Sequence, residues 1–269
     1  MTDPFPFPRI RAILIDLDGV LFRGNTALPA ASDFIQFLRE QGIAFRLITN
    51  NATLTPSQYV AKLHSIGILI EVEELFTSAL ATGLYMKQQG ASGDSAYVIG
   101  EDGLRSALIE SGVRLTDGDA DWVVVGLDRQ VTYDRLARAA LAVEAGARFV
   151  GSNPDVSFPT EAGLVPGAGA LQAVISATTG VDPVVVGKPQ PLMFELAMEQ
   201  LGSSRESTAM LGDRLDTDIQ GAQAVGLASI MVLTGVSTRS DLEHSAVQPT
   251  LVVDDLPVLI GLWKKALEA

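Results

Sequence analysis

The chain has 269 residues, of which 47% are hydrophobic and 19% charged, and its formal net charge is −13. This length fits one large domain or two modest ones, and so acidic a chain lacks the basic patches that bind nucleic acids or anionic membrane surfaces. No cysteine is present, which excludes disulfides, thiolate metal sites and cysteine nucleophiles. We therefore expect neither a nucleic-acid partner nor a membrane partner.

Targeting and membrane-spanning signals are not found in the sequence. Residues 1–4 lack the basic and apolar regions of a leader peptide. No stretch reaches the roughly 18 apolar residues that a membrane-spanning helix needs. We therefore expect a cytoplasmic protein.

Short apolar runs alternate with amphipathic stretches along the chain. Strands are predicted at 12–16, 45–49, 97–99, 122–126, 148–151, 184–187, 208–212, 230–234 and 251–253. Helices are predicted at 31–41, 56–66, 79–89, 103–111, 133–145, 170–179, 191–201 and 256–267. This alternation is typical of an α/β protein with mainly parallel sheets. We predict an inserted domain at 79–181 and a core domain formed by 1–78 and 182–269.

The first predicted strand ends in two carboxylates, Asp16 and Asp18, which are followed by Gly19. In open α/β sheets ligands bind beyond the carboxyl ends of the strands, and alternate residues of a strand point to the same side. Two carboxylates this close repel each other, and a divalent cation would relieve that repulsion. An ordinary turn after a strand has the same composition, so this motif alone favours neither interpretation.

The second predicted strand ends in a hydroxyl followed by two amides, at Thr49, Asn50 and Asn51. These neutral groups are suited to holding phosphate oxygens, and main-chain N–H groups would add to such a site. The alternative is a loop that caps the helix beginning near Pro56. Taken alone, the motif favours the capping loop.

A lysine, Lys188, follows the apolar run at 184–187 and precedes Pro189. A lysine at the end of a strand can neutralise a phosphate or a carboxylate. The alternative is a surface lysine whose stem covers apolar residues while its ammonium group stays in water. The motif alone leaves both interpretations open.

Three carboxylates, Asp213, Asp216 and Asp218, follow the strand predicted at 208–212. The structural alternative is an acidic first helical turn, which the helix dipole stabilises. Asp216 is most simply a solvated residue. Asp218 or Thr217 could likewise be no more than a cap of that turn.

All four motifs fall at the carboxyl ends of predicted strands, where an α/β sheet places its site. Together they supply a candidate nucleophile, an acid, a metal ligand, a cation and a hydroxyl. This combination indicates phosphoryl transfer through an aspartyl-phosphate.

These motifs together resemble those of the haloacid dehalogenase (HAD) superfamily of phosphohydrolases. The resemblance lies in D-x-D-G-V at 16–20, T-N-N at 49–51, G-K-P at 187–189 and G-D-x-x-x-x-D at 212–218. Their order and spacing are similar to subfamily IIA with its type-II α/β cap. That subfamily includes NagD-like nucleotide, 4-nitrophenyl phosphate, phosphoglycolate and pyridoxal phosphate phosphatases. The resemblance implies a HAD-like Rossmannoid parallel-sheet core with an inserted α/β cap that acts as a lid.

The resemblance also implies a role for each matching carboxylate. Asp16 is the expected nucleophile, and Asp18 is the expected general acid and base. Mg²⁺ is the expected cofactor, with Asp16, the main-chain carbonyl of Asp18 and Asp213 as ligands and Asp218 supporting the metal site. A hard, oxygen-only ligand set suits Mg²⁺ better than zinc.

The remaining motif residues are expected to bind the phosphoryl group. Thr49, Asn50 and Asn51 would hold phosphate oxygens, and Lys188 would stabilise the nucleophile and the transferred group. Mg²⁺ and Lys188 would also keep the pKa of Asp16 low enough for it to stay ionised.

The loop after the strand at 148–151 contains Asn153 and Asp155, which we name as candidates for substrate specificity. The resemblance implies that such a cap loop faces the active site, whereas a plain turn is the structural alternative. A large cap favours small phosphorylated metabolites as substrates. Related enzymes often associate through their caps, so we expect a homodimer.

Two other functions remain open from the sequence. A phosphotransferase or phosphomutase would use the same motifs but would keep water from the intermediate. A non-catalytic phosphate-binding regulatory protein would share the scaffold, although it would have no need of an acid at Asp18. Sugar phosphates, phosphoglycolate, nucleotides and pyridoxal phosphate all remain open as substrates.

Overall fold

The computed structural model describes residues 5–160 and 162–268, so residues 1–4, on which the expectation about a leader peptide rests, lie outside the described part. The chain divides by its internal contacts into two compact units. Unit 1 comprises Met1–Ile48, Val60–Phe76 and Pro189–Ala269, and unit 2 comprises Thr49–Tyr59 and Thr77–Lys188. The domain bounds that we expect from the sequence stay a prediction.

Strands are short and are distributed along the whole described chain. They are β1 (Ala12–Ile15), β2 (Phe22–Arg23), β3 (Thr26–Ala27), β4 (Ala44–Thr49), β5 (Leu75–Thr77), β6 (Ser95–Ile99), β7 (Arg114–Leu115), β8 (Trp122–Val125), β9 (Arg148–Gly151), β10 (Ser157–Thr160), β11 (Gly163–Pro166), β12 (Val184–Val185), β13 (Thr208–Gly212), β14 (Ala228–Val232) and β15 (Leu251–Val253).

Helices connect most of these strands. They are α1 (Ala31–Glu40), α2 (Pro56–Ser65), α3 (Ser78–Gln88), α4 (Asp102–Glu110), α5 (Tyr133–Glu144), α6 (Ala168–Thr179), α7 (Pro191–Leu201), α8 (Gln220–Ala224), α9 (Arg239–His244) and α10 (Leu256–Glu268). Local chemistry sets their ends. The Thr132 side chain accepts a hydrogen bond at the start of α5, and α7 begins with Pro191 and ends at Gly202 in the left-handed region.

Unit 1 is built on a six-stranded sheet with the order β15–β14–β13–β1–β4–β5. Strands β1 and β13 lie at its centre, pair in parallel and are buried along their whole length. Complete burial is typical of parallel strands that are covered on both faces. Because Ile15 pairs with Leu211, the carboxyl ends of β1 and β13 lie side by side.

Unit 2 contains its own sheet of five parallel strands, with the order β12–β9–β8–β6–β7. A buried cluster joins this sheet to α5 and α6; its members are Tyr97, Ile99, Val123, Val125, Ala139, Val143, Phe149 and Ile175. A separate antiparallel hairpin, β10–β11, carries the exposed side chain of Leu164. Unit 2 is therefore a second α/β unit with a core of its own.

The fold class expected from the sequence is confirmed, and each of the nine predicted strands is present. The strand expected at 184–187 is shorter, since it spans only Val184–Val185, and Val184 is 47% exposed. This strand lies at an edge of its sheet, beside β9, so its apolar composition does not reflect burial on both faces. Strands β2, β3, β5, β7, β10 and β11 and helices α8 and α9 were not predicted.

Candidate active site

Asp16 is the first residue after β1. Its main-chain N–H donates to Leu211 O at 2.9 Å, which extends the pairing of β1 with β13 by one residue, and its side chain is only 8% exposed. Asp18, by contrast, is exposed. The chain turns at Gly19, which has φ +81° and donates its N–H to Phe22 O at 2.8 Å. The two carboxylates of this motif therefore occupy different environments, one buried and one in contact with water.

Three buried carboxylates converge at the edge of the unit 1 sheet. Asp16, Asp213 and Asp218 each offer one oxygen, and these oxygens all lie within 4.8 Å of one another. Asp213 and Asp218 are 1% and 0% exposed. Buried carboxylates at this separation repel strongly, and a hard divalent cation would convert that repulsion into attraction. The oxygen-only donor set therefore fits Mg²⁺.

Asp218 belongs to a π-helical turn, Leu215–Ile219, that follows β13. Its Oδ2 atom accepts hydrogen bonds from the main-chain N–H groups of Asp213, at 3.2 Å, and Arg214, at 3.1 Å. This turn folds the carboxylate back onto the first residues of its own loop. Asp218 thereby holds the backbone that carries Asp213.

Asp213 is enclosed by backbone, mainly at two glycines. The Val236 N–H donates to Asp213 Oδ2 at 2.6 Å. A Cβ atom at Gly19 would lie 2.5 Å from that oxygen, and a Cβ atom at Gly235 would lie closer still. We call Gly19, Gly235 and the Val236 N–H the glycine cradle. Side chains at either glycine would displace the Asp213 carboxylate.

The loop that contributes Gly235 and the Val236 N–H to this cradle was not predicted from the sequence. Thr234 ties it to the Asp16–Asp18 loop, because the Thr234 hydroxyl donates to Gly19 O at 2.6 Å and the Arg23 guanidinium donates to Thr234 O. A Thr-Gly pair at the carboxyl end of the strand predicted at 230–234 is the signal that could have found it.

Asp216 lies outside the carboxylate cluster, as a solvated residue would. Its side chain is 64% exposed and forms an ion pair with Arg214, whose Nε and Nη2 atoms donate at 3.0 and 2.7 Å. These hydrogen bonds lower the pKa of the Asp216 carboxyl below its ordinary value. Asp216 is therefore an exposed carboxylate on the same turn as the buried Asp218, and the two can be compared.

In unit 2, Thr49 is buried and Asn51 is exposed. The Thr49 hydroxyl oxygen accepts the Asn51 N–H at 3.1 Å, which leaves its hydroxyl hydrogen available to an acceptor. Asn51 Oδ1 accepts from the N–H and hydroxyl groups of Thr53 at 2.9 and 2.7 Å. The Asn51 side chain thus stabilises the loop between β4 and α2, whereas Thr55 makes the capping contact with Gln58 at the start of the helix.

Asn50 and Lys188 meet within unit 2. Asn50 Nδ2 donates to Lys188 O at 2.9 Å and to Asp155 Oδ2 at 3.2 Å. Lys188 is only 2% exposed, so it is not the solvated lysine considered as an alternative. The side-chain amide of Asn50 therefore connects the motif at 49–51 with the motif at 187–189 and with the specificity candidate Asp155.

Asn153, the other specificity candidate, is 4% exposed and belongs to the same group. Its Nδ2 donates to Asn50 O at 2.8 Å, and its Oδ1 accepts the Asp155 N–H at 3.1 Å. Its own main-chain oxygen accepts from Gln172 Nε2 at 2.9 Å. Asn153 thus links Asn50, Asp155 and Gln172, and no motif pointed to Gln172.

Comparison with known proteins identifies the family. Residues 13–114 match a family model described as haloacid dehalogenase-like hydrolase, and residues 185–259 match one described as HAD-hydrolase-like. The acid sugar phosphatase of Staphylococcus aureus strain USA300 is 46% identical over 256 residues, which cover 95% of this chain and 98% of that relative. The chain belongs to the haloacid dehalogenase-like hydrolases.

Solved structures of such hydrolases share the whole fold. The 4-nitrophenylphosphatase from Thermotoga maritima has a TM-score of 0.91 at 32% identity and covers 95% of this chain and 98% of its own. NagD from Escherichia coli K-12 has a TM-score of 0.86 at 33% identity, with coverage of 91% and 96%. The resemblance to subfamily IIA is confirmed, and this HAD hydrolase is a phosphatase.

Several expectations about this phosphatase stay predictions. Within residues 5–160 and 162–268, no helix combines the length and the apolar composition required to cross a membrane. The cytoplasmic location and the homodimer are not tested by these observations. The same holds for the individual role of each site residue.

Proposed function

We propose that this chain is a Mg²⁺-dependent phosphomonoester hydrolase that acts on small phosphorylated metabolites through an aspartyl-phosphate on Asp16. The observation that carries the proposal is the buried cluster of Asp16, Asp213 and Asp218 at the carboxyl ends of β1 and β13. Mg²⁺ held there would lower the charge repulsion between the nucleophile and a phosphate dianion. Asp16 and Asp213 would hold the ion together with the Asp18 carbonyl, and Asp218 would keep Asp213 in place.

The reaction then needs two proton transfers, both assigned to Asp18. In the first step an Asp16 oxygen attacks phosphorus, the bond to the leaving oxygen breaks, and the Asp18 carboxyl gives that oxygen its proton. In the second step the Asp18 carboxylate takes a proton from water as the water oxygen attacks phosphorus and Asp16 is released. Asp18 is exposed, so water can reach its carboxylate for the second step.

Thr49 and Lys188 are the proposed phosphoryl-binding groups of unit 2, together with main-chain N–H groups of the Thr49–Asn51 segment. The Thr49 hydroxyl has a hydrogen to donate, and Lys188 brings a buried positive charge. Preorganised donors and charges of this kind stabilise the charge on the transferred group without reorganisation during the reaction. These two assignments rest on the motifs rather than on the carboxylate cluster.

Sugar phosphates are the substrate class that we propose to test first. The relative with 46% identity over 95% of this chain carries the name acid sugar phosphatase. The panel should also include phosphoglycolate, nucleotides, pyridoxal phosphate and 4-nitrophenyl phosphate, so that the rank order of turnover can contradict this choice.

Release of inorganic phosphate from this panel, with Mg²⁺ and with EDTA, tests the proposal. We expect turnover that requires the metal and that falls by at least about 10⁴-fold in Asp16→Asn, because the amide is no nucleophile. Asp216→Asn is the matched control, since it makes the same chemical change at an exposed carboxylate, and it should retain turnover. Turnover that persists in Asp16→Asn would contradict the covalent mechanism.

The same experiment separates the two alternatives. Transfer of the phosphoryl group to an added alcohol with little phosphate release would indicate a transferase. Phosphate binding without turnover of any ester would indicate a regulatory protein.

A further inference from the structure

Asn50 connects three separate segments of unit 2. Its main-chain oxygen accepts from Asn153 Nδ2 at 2.8 Å and from the Ser78 hydroxyl at 2.6 Å. Its side-chain Nδ2 donates to Lys188 O and Asp155 Oδ2. Asn50 therefore contacts the start of α3, the loop after β9 and the lysine motif at once.

The number of hydrogens on the Asn50 amide limits what it can do. A primary amide carries two N–H hydrogens, and Asn50 has two acceptors for them, at 2.9 and 3.2 Å. None remains for a phosphate oxygen. The side chain of Asn50 is therefore engaged within the protein, and the phosphate contact expected from the sequence falls to main-chain N–H groups and to Thr49.

In this orientation the Asn50 amide satisfies its nitrogen atom but not its oxygen atom. Asn50 Oδ1 is buried and makes no hydrogen bond with any residue in the described part of the chain. Turning the amide over would place Oδ1 against the oxygens of Lys188 and Asp155. Two repulsive oxygen–oxygen contacts would be less favourable than one missing hydrogen bond. A buried acceptor without a donor is disfavoured, and such local costs concentrate at functional sites.

Gly187 makes the close approach to Asn50 possible. A Cβ atom there would lie 2.7 Å from Asn50 Oδ1, from Asn153 Cβ and from Ser152 O. The Gly187 N–H also donates to Ser152 O at 2.9 Å. The residue before Lys188 is thus fixed to the same loop that carries Asp155.

Gln172 donates a hydrogen bond to the loop that carries Asp155. It is 4% exposed, and its Nε2 donates to Val125 O at 3.2 Å and to Asn153 O at 2.9 Å. The loop that carries Asp155 is therefore anchored to β8 and α6. Because the loop is anchored, Asn153 and Asp155 are held in fixed positions for their contacts with Asn50.

We propose that Asn50 is a positioning residue that fixes the backbone of Lys188 and sets the Asp155 carboxylate beside it, so that the lysine is held in its reactive placement. This inference rests on the proposed function, because it assigns the reason for the Asn50 side chain in that reaction. A displacement of about 1 Å in such a group lowers turnover by about 10²-fold. Asn50 would thus act through Lys188 and not by touching the substrate.

A double-mutant cycle between Asn50→Ala and Lys188→Ala tests the proposal. In the wild-type background Asn50→Ala should lower kcat by about 10- to 100-fold with little change in KM. In the Lys188→Ala background it should lower kcat by less than about 3-fold, because there is no lysine left to position. Equal losses in both backgrounds would overturn the proposal. If turnover falls below detection, the same cycle is measured on the affinity for orthovanadate, which mimics the transferred phosphoryl group and should therefore follow kcat.

Ser78→Ala is the matched structural control. It removes the other side-chain hydrogen bond to Asn50 O and does not touch Lys188 or Asp155. It should leave kcat within about 3-fold of wild type, because Asn50 O still accepts from Asn153 Nδ2 and the Asn50 amide keeps both of its acceptors. A kcat loss as large as that of Asn50→Ala would mean that any disturbance of this segment suffices, which contradicts a specific role for the amide.

A reciprocal exchange guards against a variant that fails to fold. Asn50→Asp places carboxylate oxygens against Lys188 O and Asp155, whereas Asn50→Asp with Asp155→Asn restores a donor and an acceptor across that pair. We expect the double variant to recover at least about tenfold of the kcat lost in Asn50→Asp. No recovery would overturn the part assigned to Asp155. Failure of the proposed function itself would be distinct, because the wild-type protein would then hydrolyse no ester.

Discussion

The carboxylate cluster of unit 1 and the amide group of unit 2 are held in opposite ways. In unit 1, main-chain N–H groups of Asp213, Arg214 and Val236 donate to carboxylate side chains. In unit 2, the side chains of Asn50 and Asn153 donate to main-chain carbonyl oxygens. The first arrangement depends on the shape of the backbone, and the second depends on the identity of the side chains.

This difference predicts which substitutions each region tolerates. In unit 1 the donors survive most side-chain changes, and harm comes from groups that push the backbone away from a carboxylate. In unit 2 the backbone can stay in place, and harm comes from losing an amide donor that serves a buried carbonyl oxygen. Both regions can be tested with matched pairs of variants.

The largest effect is expected in the glycine cradle. Gly235→Ala would press a methyl group onto Asp213 Oδ2, so we expect the affinity for Mg²⁺ and kcat to fall by about 10²-fold or more. Calorimetric titration with Mg²⁺ measures the first effect independently of turnover. Gly261→Ala in α10 meets open space and should bind Mg²⁺ as the wild type does, with a gain in stability of about 0.5–1 kcal/mol. Wild-type affinity in Gly235→Ala would contradict the view that backbone shape controls this region.

A somewhat smaller effect is expected at Asp218. Asp218→Asn keeps an oxygen for the N–H groups of Asp213 and Arg214 but removes the charge, so the affinity for Mg²⁺ should fall by about 10- to 100-fold. Asp216→Asn, two residues earlier, loses only an exposed ion pair and should change stability by less than about 1 kcal/mol. Equal metal affinities in the two variants would remove Asp218 from the site.

An effect on stability is expected at Gln172 in unit 2. Gln172→Leu would leave Val125 O and Asn153 O without their side-chain donor, and we expect a loss of about 1–3 kcal/mol in the free energy of unfolding. Urea unfolding followed by circular dichroism provides the measurement. Gln172→Glu keeps the shape but places an acid beside the same two oxygens, so it should be at least as destabilising. A neutral outcome for both variants would show that side-chain donors do not hold this loop.

The smallest effect is expected at Glu101, also in unit 2. Hydrogen bonds from the Arg129 side chain lower the pKa of this carboxyl, so the ion pair stabilises the folded state above the unfolded pKa and loses that contribution as pH falls through the folded pKa. The Arg129 side chain is 65% exposed, so water screens the pair and the contribution should stay below about 1 kcal/mol. Glu101→Gln should therefore unfold with a weaker pH dependence than the wild type below about pH 5, and with an unchanged one above it. An unchanged pH dependence would mean that the pair contributes nothing.

The sequence predicts the regular part of this fold well and its contacts poorly. Long apolar runs such as the one before Asp16 are recognisable because parallel strands are buried on both faces. Strand β5 has only three residues, Leu75–Thr77, and directly follows an acidic run, so its apolar pattern is too short to detect. The hairpin β10–β11 is largely exposed and lacks the alternation that marks a half-buried strand.

The residues of the candidate site likewise divide into those that the sequence predicts and those that it does not. Asp16 was predicted from its position at a strand end, the family resemblance implied metal-site roles for Asp213 and Asp218, and the three carboxylates converge. The glycine cradle was not predicted, because Gly235 acts on Asp213 only after β14 has paired with β13. The amide of Asn50 also resembles a phosphate donor until its two acceptors are known. Contacts between distant segments carry this information, and a single sequence does not display them.

The position of β1 at the centre of its sheet has a consequence for synthesis on the ribosome. Ala12 pairs with Ala44 on one side and with Thr208 on the other, so the strand that presents Asp16 lacks one neighbour until most of the chain has been translated. The five strands of the unit 2 sheet all lie between Ser95 and Val185 and can pair earlier. Because distant pairings close late, a nascent chain would hold a finished second sheet while β1 still had one open edge.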